Sequence, residues 1–250
     1  MVRRASKEKM GDAMDEQLSP SKSSVTRGVT RWSIRETMGL IMYIPFLFWP
    51  AGTWNWPMAW ALIAMTAMWI IGTAIVTIPR YPELLAERVG PRKGGKAWDT
   101  AILGVIGIMM LVKMLLAGLD IRFGWTIELP LWAEIAGIVA AMVGYGLVVW
   151  ATGSNAYFSE LVRIQNERGH TVATGGPYQF VRHPAYIGMI FVELGTSIML
   201  GSWLALIPGG VSAILLILRT VLEDRMLLTE LAGYKEFAEK TRYRLIPGVW

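Results

Sequence analysis

At 250 residues, 54% of them hydrophobic and 17% charged, with mean hydropathy +0.42, the chain is too apolar for a soluble domain, where about a quarter of residues carry charge. The absence of cysteine excludes disulfides and thiolate chemistry, and the presence of only two histidines argues against a multi-histidine metal site. A net charge of +5 suits loops facing anionic lipid better than nucleic acid.

Residues 1–30 are polar, rich in Ser, Lys and Arg, and read as a disordered tail. Arg3-Arg4 stands far from the first apolar run, and no small-residue cleavage site follows, which argues against a signal peptide. Six segments then approach the roughly 20 apolar residues of a spanning helix: 37–51, 56–78, 98–119, 131–152, 185–200 and 203–221. The last two are separated by Gly201-Ser202 alone, which predicts a tight helical hairpin. Of the 24 basic residues, all but Lys113 and Arg122 fall in segments that alternation places on one side. The positive-inside rule then predicts both termini in the cytoplasm. Trp49, Trp54, Trp56, Trp125 and Trp132 gather at the opposite boundary, as an interfacial aromatic belt does. Beyond the sixth segment, 223–240 mixes apolar and charged residues and reads as an amphipathic surface helix.

Polar chemistry concentrates in the connection 153–183. It holds both histidines, His170 and His183, with Ser154, Asn155, Ser159, Glu160, Arg163, Gln165 and Asn166. Connections of this length are usually functional or disordered, and Phe158, Leu161, Val162 and Ile164 argue for one that is at least partly helical and packed. In GGPYQFVRHPAY, Gly175-Gly176-Pro177 predicts a turn open to close ligand approach. Pro184 suits the first turn of a helix, whose free N–H groups and dipole attract an anion. Arg182 adds a planar fork able to grip a carboxylate. The same Arg-His-Pro also reads as an interfacial anchor capping a helix. Arg219 and Glu223, four residues apart, share a helix face and either pair or leave Glu223 free for ligand hydroxyls. Lys113 and Glu193 are intramembrane charges, read as a structural ion pair with a functional role as the alternative.

NAYFSELVRIQNERGHTVATGGPYQFVRHPAYIG, RTVLEDRMLL and GYKEFAEKTRYRLIPGVW, in that order over 155–250, resemble the isoprenylcysteine carboxyl methyltransferase family. They are also similar to the related membrane phospholipid methyltransferases. The resemblance implies an all-α transmembrane bundle that moves a methyl group from S-adenosylmethionine to a lipophilic acceptor arriving from the bilayer. It further implies a core over 153–250 following a four-helix membrane region over 31–152. Carried over residue by residue, it implies that His170, Tyr178, His183, Tyr186 and Glu223 contact the cofactor. Arg182 is implied to orient the acceptor with help from Asn155. Glu223-Asp224 stands where the family has Glu-Glu, and Tyr234-x-x-Phe237 where it has Tyr-x-x-Tyr. A carboxylate acceptor needs no base at neutral pH; an amine acceptor does. The competing expectations are an NADPH-dependent reductase of the sterol-reductase type, with a similar His-Pro-x-Tyr region, and a non-catalytic membrane scaffold.

Overall fold

The computed structural model describes residues 22–89 and 94–250, and every regular element among them is helical. In chain order they are α1 (Lys22–Ala51), α2 (Pro57–Thr77), α3 (Pro82–Arg88), α4 (Ala97–Phe123), α5 (Leu131–Gly153), α6 (Pro184–Met199), α7 (Leu206–Glu230) and α8 (Tyr234–Lys240). Helices α2, α4, α5 and α7 are long and apolar enough to cross a membrane, and α6 is a shorter apolar helix. Their outward faces keep large apolar side chains such as Ile71, Ile75, Ile108, Val139 and Ile214 exposed. A bundle that buries its backbone polar groups within helices and leaves such side chains outside is suited to lipid.

Local chemistry sets the helix starts. Pro57, Pro82 and Pro184 each occupy the first turn, where a missing N–H costs nothing. Pro208, within the expected sixth segment, sits in the first turn of α7 for the same reason. Helix α1 begins at Lys22, inside the stretch read from sequence as a tail; Arg3-Arg4 lies outside the described residues.

The expected boundary after Val221 does not occur. Helix α7 runs unbroken to Glu230, and the chain turns only at Gly233, whose φ of +79° is the left-handed conformation glycine tolerates. VLEDRMLLTE holds no glycine or proline, so nothing in it interrupts propagation. Glu223 and Asp224 therefore ride on the same rigid helix as Arg219, and α8 is a separate seven-residue helix.

Helices α5 and α6 meet along glycines spaced seven residues apart on each. A Cβ on Gly144 would lie 2.5 Å from the carbonyl oxygen of Gly188, and one on Gly188 would lie 2.6 Å from that of Gly144. Gly137 and Gly195 repeat the arrangement two turns on, at 2.7 and 2.8 Å. Small residues let membrane helices approach to backbone contact, and the seven-residue repeat keeps the seam on one face of each helix.

Two polar knots brace the bundle. Lys113 Nζ donates to Glu193 Oε2 at 2.8 Å and to Thr196 Oγ1 at 3.0 Å, the structural ion pair expected. At the far end, Asp120 accepts from the Thr126 amide at 2.8 Å and from Ser202 Oγ at 2.6 Å, which ties α4 to the α6–α7 hairpin.

Candidate active site

Where α2, α5 and α7 end and α4 and α6 begin, the connection 154–183, α3 and α8 close over a cavity of about 590 Å³. That volume suits a small-molecule site. All seven residues singled out from sequence line it: Asn155, His170, Tyr178, Arg182, His183, Tyr186 and Glu223. They do so in unequal ways.

Asp224, fully buried on α7, organises one wall. Its Oδ1 accepts from Arg182 Nε at 2.8 Å and from the Tyr234 hydroxyl at 2.9 Å, with His183 Nε2 at 3.2 Å. Its Oδ2 accepts from Arg182 Nη2 at 3.0 Å and Arg244 Nε at 2.7 Å. Since a carboxylate only accepts, the His183 contact places that ring's proton on Nε2. Arg182 Nη1 donates onward to the carbonyls of Thr241 and Arg242, at 2.9 and 2.7 Å. Four of the five N–H groups of a guanidinium are thus committed within the chain. Burial acts to lower the pKa of Arg182, but the hydrogen bonds and charge of Asp224 outweigh it and hold it above its ordinary value. The backbone joins the same knot: the amides of Arg182 and His183 donate to the carbonyls of Tyr243 and Arg244. Arg182, expected to orient an acceptor, lines the cavity and at the same time clamps the C-terminal segment to α7, with one Nη2 N–H left over.

The opposite wall is less committed. The Tyr186 hydroxyl donates to Glu223 Oε2, while Glu223 Oε1 accepts no hydrogen bond among the described residues. Arg219 does not pair with Glu223. It turns to the fully buried Asp99 of α4, Nε to Oδ1 at 2.6 Å, and its guanidinium covers the Tyr186 ring at 5.3 Å. A buried carboxylate left unpaired is very costly, so Asp99 takes the arginine, and half-buried Glu223, on the cavity wall, keeps one oxygen without a partner among the described residues.

His170 lies across the connection, stacked on Tyr157 with ring centroids 4.6 Å apart. The Gln165 amide donates to its Nδ1 at 3.3 Å, which requires that nitrogen to be unprotonated. Burial, then the charges of Arg163 and Arg168, lowers the pKa of His170 and keeps the ring neutral near pH 7. Buried Gln165 secures the loop through Nε2 to the Tyr157 carbonyl at 2.7 Å. The connection is packed as expected, but by such contacts and two short 3-10 turns rather than an α-helix. Asn155 Nδ2 donates to the Tyr178 hydroxyl at 3.3 Å, and burial raises the Tyr178 pKa so that it stays neutral. Gly176, expected to let backbone approach a ligand, serves packing: with φ +58°, its Cβ would fall 2.3 Å from Ser154 Oγ.

Sequence reasoning missed Asp224 as the hub, Arg244 as its second cation and Asp99 as the partner of Arg219. Only tertiary contacts reveal these pairings. A clue lay in 219–224, where two acids and an arginine occur within two helical turns and cannot all pair along one helix. The remaining walls are apolar. Leu103 and Ile106 of α4, Val148 of α5 and Leu216 of α7 carry the cavity from the polar end to the level of Glu193. Seven residues along α6 separate Tyr186 from Glu193, a rise of about 10 Å.

Residues 135–229 match the family model described as the isoprenylcysteine carboxyl methyltransferase (ICMT) family. The chain is 30% identical over 79 residues to protein-S-isoprenylcysteine O-methyltransferase of Xenopus laevis, covering 30% of this chain and 27% of that protein. It is 32% identical over 72 residues to the Homo sapiens protein of the same name, covering 28% and 25%. Against protein-S-isoprenylcysteine O-methyltransferase B of Arabidopsis thaliana it is 42% identical over 43 residues, covering 17% and 22%. The matched stretches span about a quarter of the length of these relatives. Residues 135–229 run through α5, the connection, α6 and most of α7, the elements that carry all seven lining residues singled out from sequence together with Val148 and Leu216 of the apolar wall.

Proposed function

We propose that this chain, whose residues 135–229 match the model of the isoprenylcysteine carboxyl methyltransferase family, is a membrane methyltransferase taking its methyl group from S-adenosylmethionine. The acceptor is a lipophilic carboxylate that enters from the bilayer. One observation carries the reading: a single cavity joins a polar end, holding His170, Tyr186 and Glu223, to an apolar arm reaching between the helices.

The residues present fit the donor. Glu223 lines the cavity, and its Oε1, without a partner among the described residues, suits a ribose hydroxyl. Neutral His170 offers an Nε2–H while its Nδ1 is held by Gln165. The rings of Tyr157, Tyr178 and Tyr186 favour a sulfonium charge. When bound, S-adenosylmethionine supplies an electrophilic methyl carbon. Leu103, Ile106, Val148 and Leu216 hold the acceptor's apolar body, so that only its headgroup reaches the polar end. A carboxylate acceptor is ionised at neutral pH, so no residue need remove a proton, and the chain contributes alignment and exclusion of water. Arg182, His183, Asp224, Tyr234 and Arg244 keep the walls in register. The positive-inside distribution of Lys and Arg puts this end of the bundle in the cytoplasm, with both termini.

Transfer of tritiated methyl from S-adenosylmethionine to N-acetyl-S-farnesyl-L-cysteine tests the reading in sealed vesicles. Base-labile label is expected when the C-terminal end of α7 faces outward, and little when it faces inward. Equal labelling in both orientations contradicts the topology. No label above a Glu223→Gln control contradicts the activity, and NADPH binding in its place decides for the reductase.

A further inference from the structure

Arg182 is committed inside the protein, but a second arginine on the cavity wall is not. Arg88, the last residue of α3, lines the same cavity as Tyr157, Phe158, His170 and Glu223. Its Nε is sealed from solvent and meets no hydrogen-bond acceptor. Among the described residues, no carboxylate lies within ion-pair distance of its guanidinium. The neighbouring acids point elsewhere: Glu160 and Glu36 pair with Arg35, and Glu87 pairs with Arg163 through Oε1, its Oε2 being buried without a hydrogen-bond partner and not within ion-pair distance of Arg88. Arg35 also donates to the Arg88 carbonyl at 2.8 Å, which fixes the end of α3 and hence the root of the side chain. The Phe158 ring lies 5.6 Å from the guanidinium carbon and covers one face; with Nε sealed, the two terminal nitrogens carry the N–H donors that a planar partner in the cavity would meet. Burial lowers the pKa of Arg88, against the opposing charges of Glu160 and Glu36, yet a guanidinium keeps its proton. A desolvated cation is costly without a counter-ion, so this one is matched to an anion the protein does not itself supply.

We propose that Arg88 binds the carboxylate of a ligand held in this cavity, the part expected from sequence of Arg182. The inference rests on the methyltransferase reading, under which two carboxylates are available: that of the donor's amino-acid moiety and that of the acceptor. Guanidinium and carboxylate match as two parallel hydrogen bonds, and Lys reproduces the charge without the fork.

The test uses the purified full chain in detergent, as wild type, Arg88→Met and Arg88→Lys. The probes are S-adenosylhomocysteine, which carries the amino-acid carboxylate, and 5′-methylthioadenosine, which lacks it. If the donor's carboxylate is bound, Arg88→Met weakens S-adenosylhomocysteine by about tenfold or more, spares methylthioadenosine, and Arg88→Lys recovers part of the loss. If the acceptor's carboxylate is bound, both nucleosides bind as before. KM for N-acetyl-S-farnesyl-L-cysteine then rises by about tenfold with kcat little changed. Unchanged binding and unchanged KM overturn the proposal, as does equal weakening of both nucleosides. Failure of the wild type to bind S-adenosylhomocysteine overturns the methyltransferase reading itself, which is distinct from a wild type that binds and variants that bind equally well. Should Arg88→Met not fold, Arg88→Lys alone carries the comparison.

Discussion

Asp224 shows how one carboxylate can be structural while its neighbour in sequence faces a ligand. With Arg182, Arg244, His183 and Tyr234 converging on it, it fastens the C-terminal segment to α7 and the start of α6. Asp224→Asn leaves two guanidinium groups short of a counter-charge, a loss of about 3–5 kcal/mol when a buried pair is broken. A lower melting temperature in detergent and early proteolysis of residues 241–250 are the expected outcomes; an unchanged melting curve would show the knot to be dispensable. His170 makes a pH statement. Its folded-state pKa lies below the ordinary 6.5, so the unfolded chain takes up the proton first. Stability from this group is therefore complete above about pH 6.5 and lost as pH falls through the lowered value. Protonation also removes the acceptor used by the Gln165 amide. Melting temperature is expected to fall between pH 7 and pH 5, with a shallower fall in His170→Asn, which keeps an acceptor but does not titrate; parallel slopes would assign the effect elsewhere. The chemical types at the site were legible in the sequence because polar residues are conspicuous in an apolar chain. The roles of Arg182 and Asp224 were not, since whether a guanidinium serves a ligand or the fold depends on carboxylates distant in sequence.

At the scale of elements, the expected segment 37–51 falls within α1, which is not among the helices long and apolar enough to cross. Hydropathy located α2, α4, α5, α6 and α7 because lipid imposes one requirement on every span. It misplaced the end of α7, because charges at Glu223 and Asp224 mark where a helix leaves an apolar environment, not where it stops. Only Gly233 carries the stop signal. The α5–α6 seam was written in the sequence as Gly137, Gly144, Gly188 and Gly195, but which glycines face a partner became readable only from the contacts. Gly144→Leu forces a Cβ to within 2.5 Å of a carbonyl oxygen that cannot rotate away. Overpacking costs typically about 1–3 kcal/mol, which for a chain of this size lowers the melting temperature by on the order of 5 °C. Gly146→Leu, two residues away with nothing within 4 Å of its Cβ, is the control and is expected to change little. Equal losses in the two variants would deny the seam its special closeness.

For the whole molecule, the arrangement divides labour along the bundle axis. The far end is tied by Asp120 and Ser202, the middle by Lys113 and Glu193, and the near end carries the cavity with a polar mouth and an apolar arm. Helices α5 to α7 supply most of that wall and most of the family resemblance. Helices α2, α3 and α4 complete it with Trp69, Arg88 and Leu103, outside the matched residues. Under the proposed function, this cavity holds S-adenosylmethionine, with Glu223 as a direct contact. Calorimetry of S-adenosylhomocysteine with the purified protein in detergent tests it most directly. Saturable one-to-one binding is expected, weakened about 10- to 100-fold in Glu223→Gln, as the loss of charged hydrogen bonds worth about 1.5–3 kcal/mol requires. No binding by the folded wild type, or binding that Glu223→Gln leaves unaltered, would contradict the account.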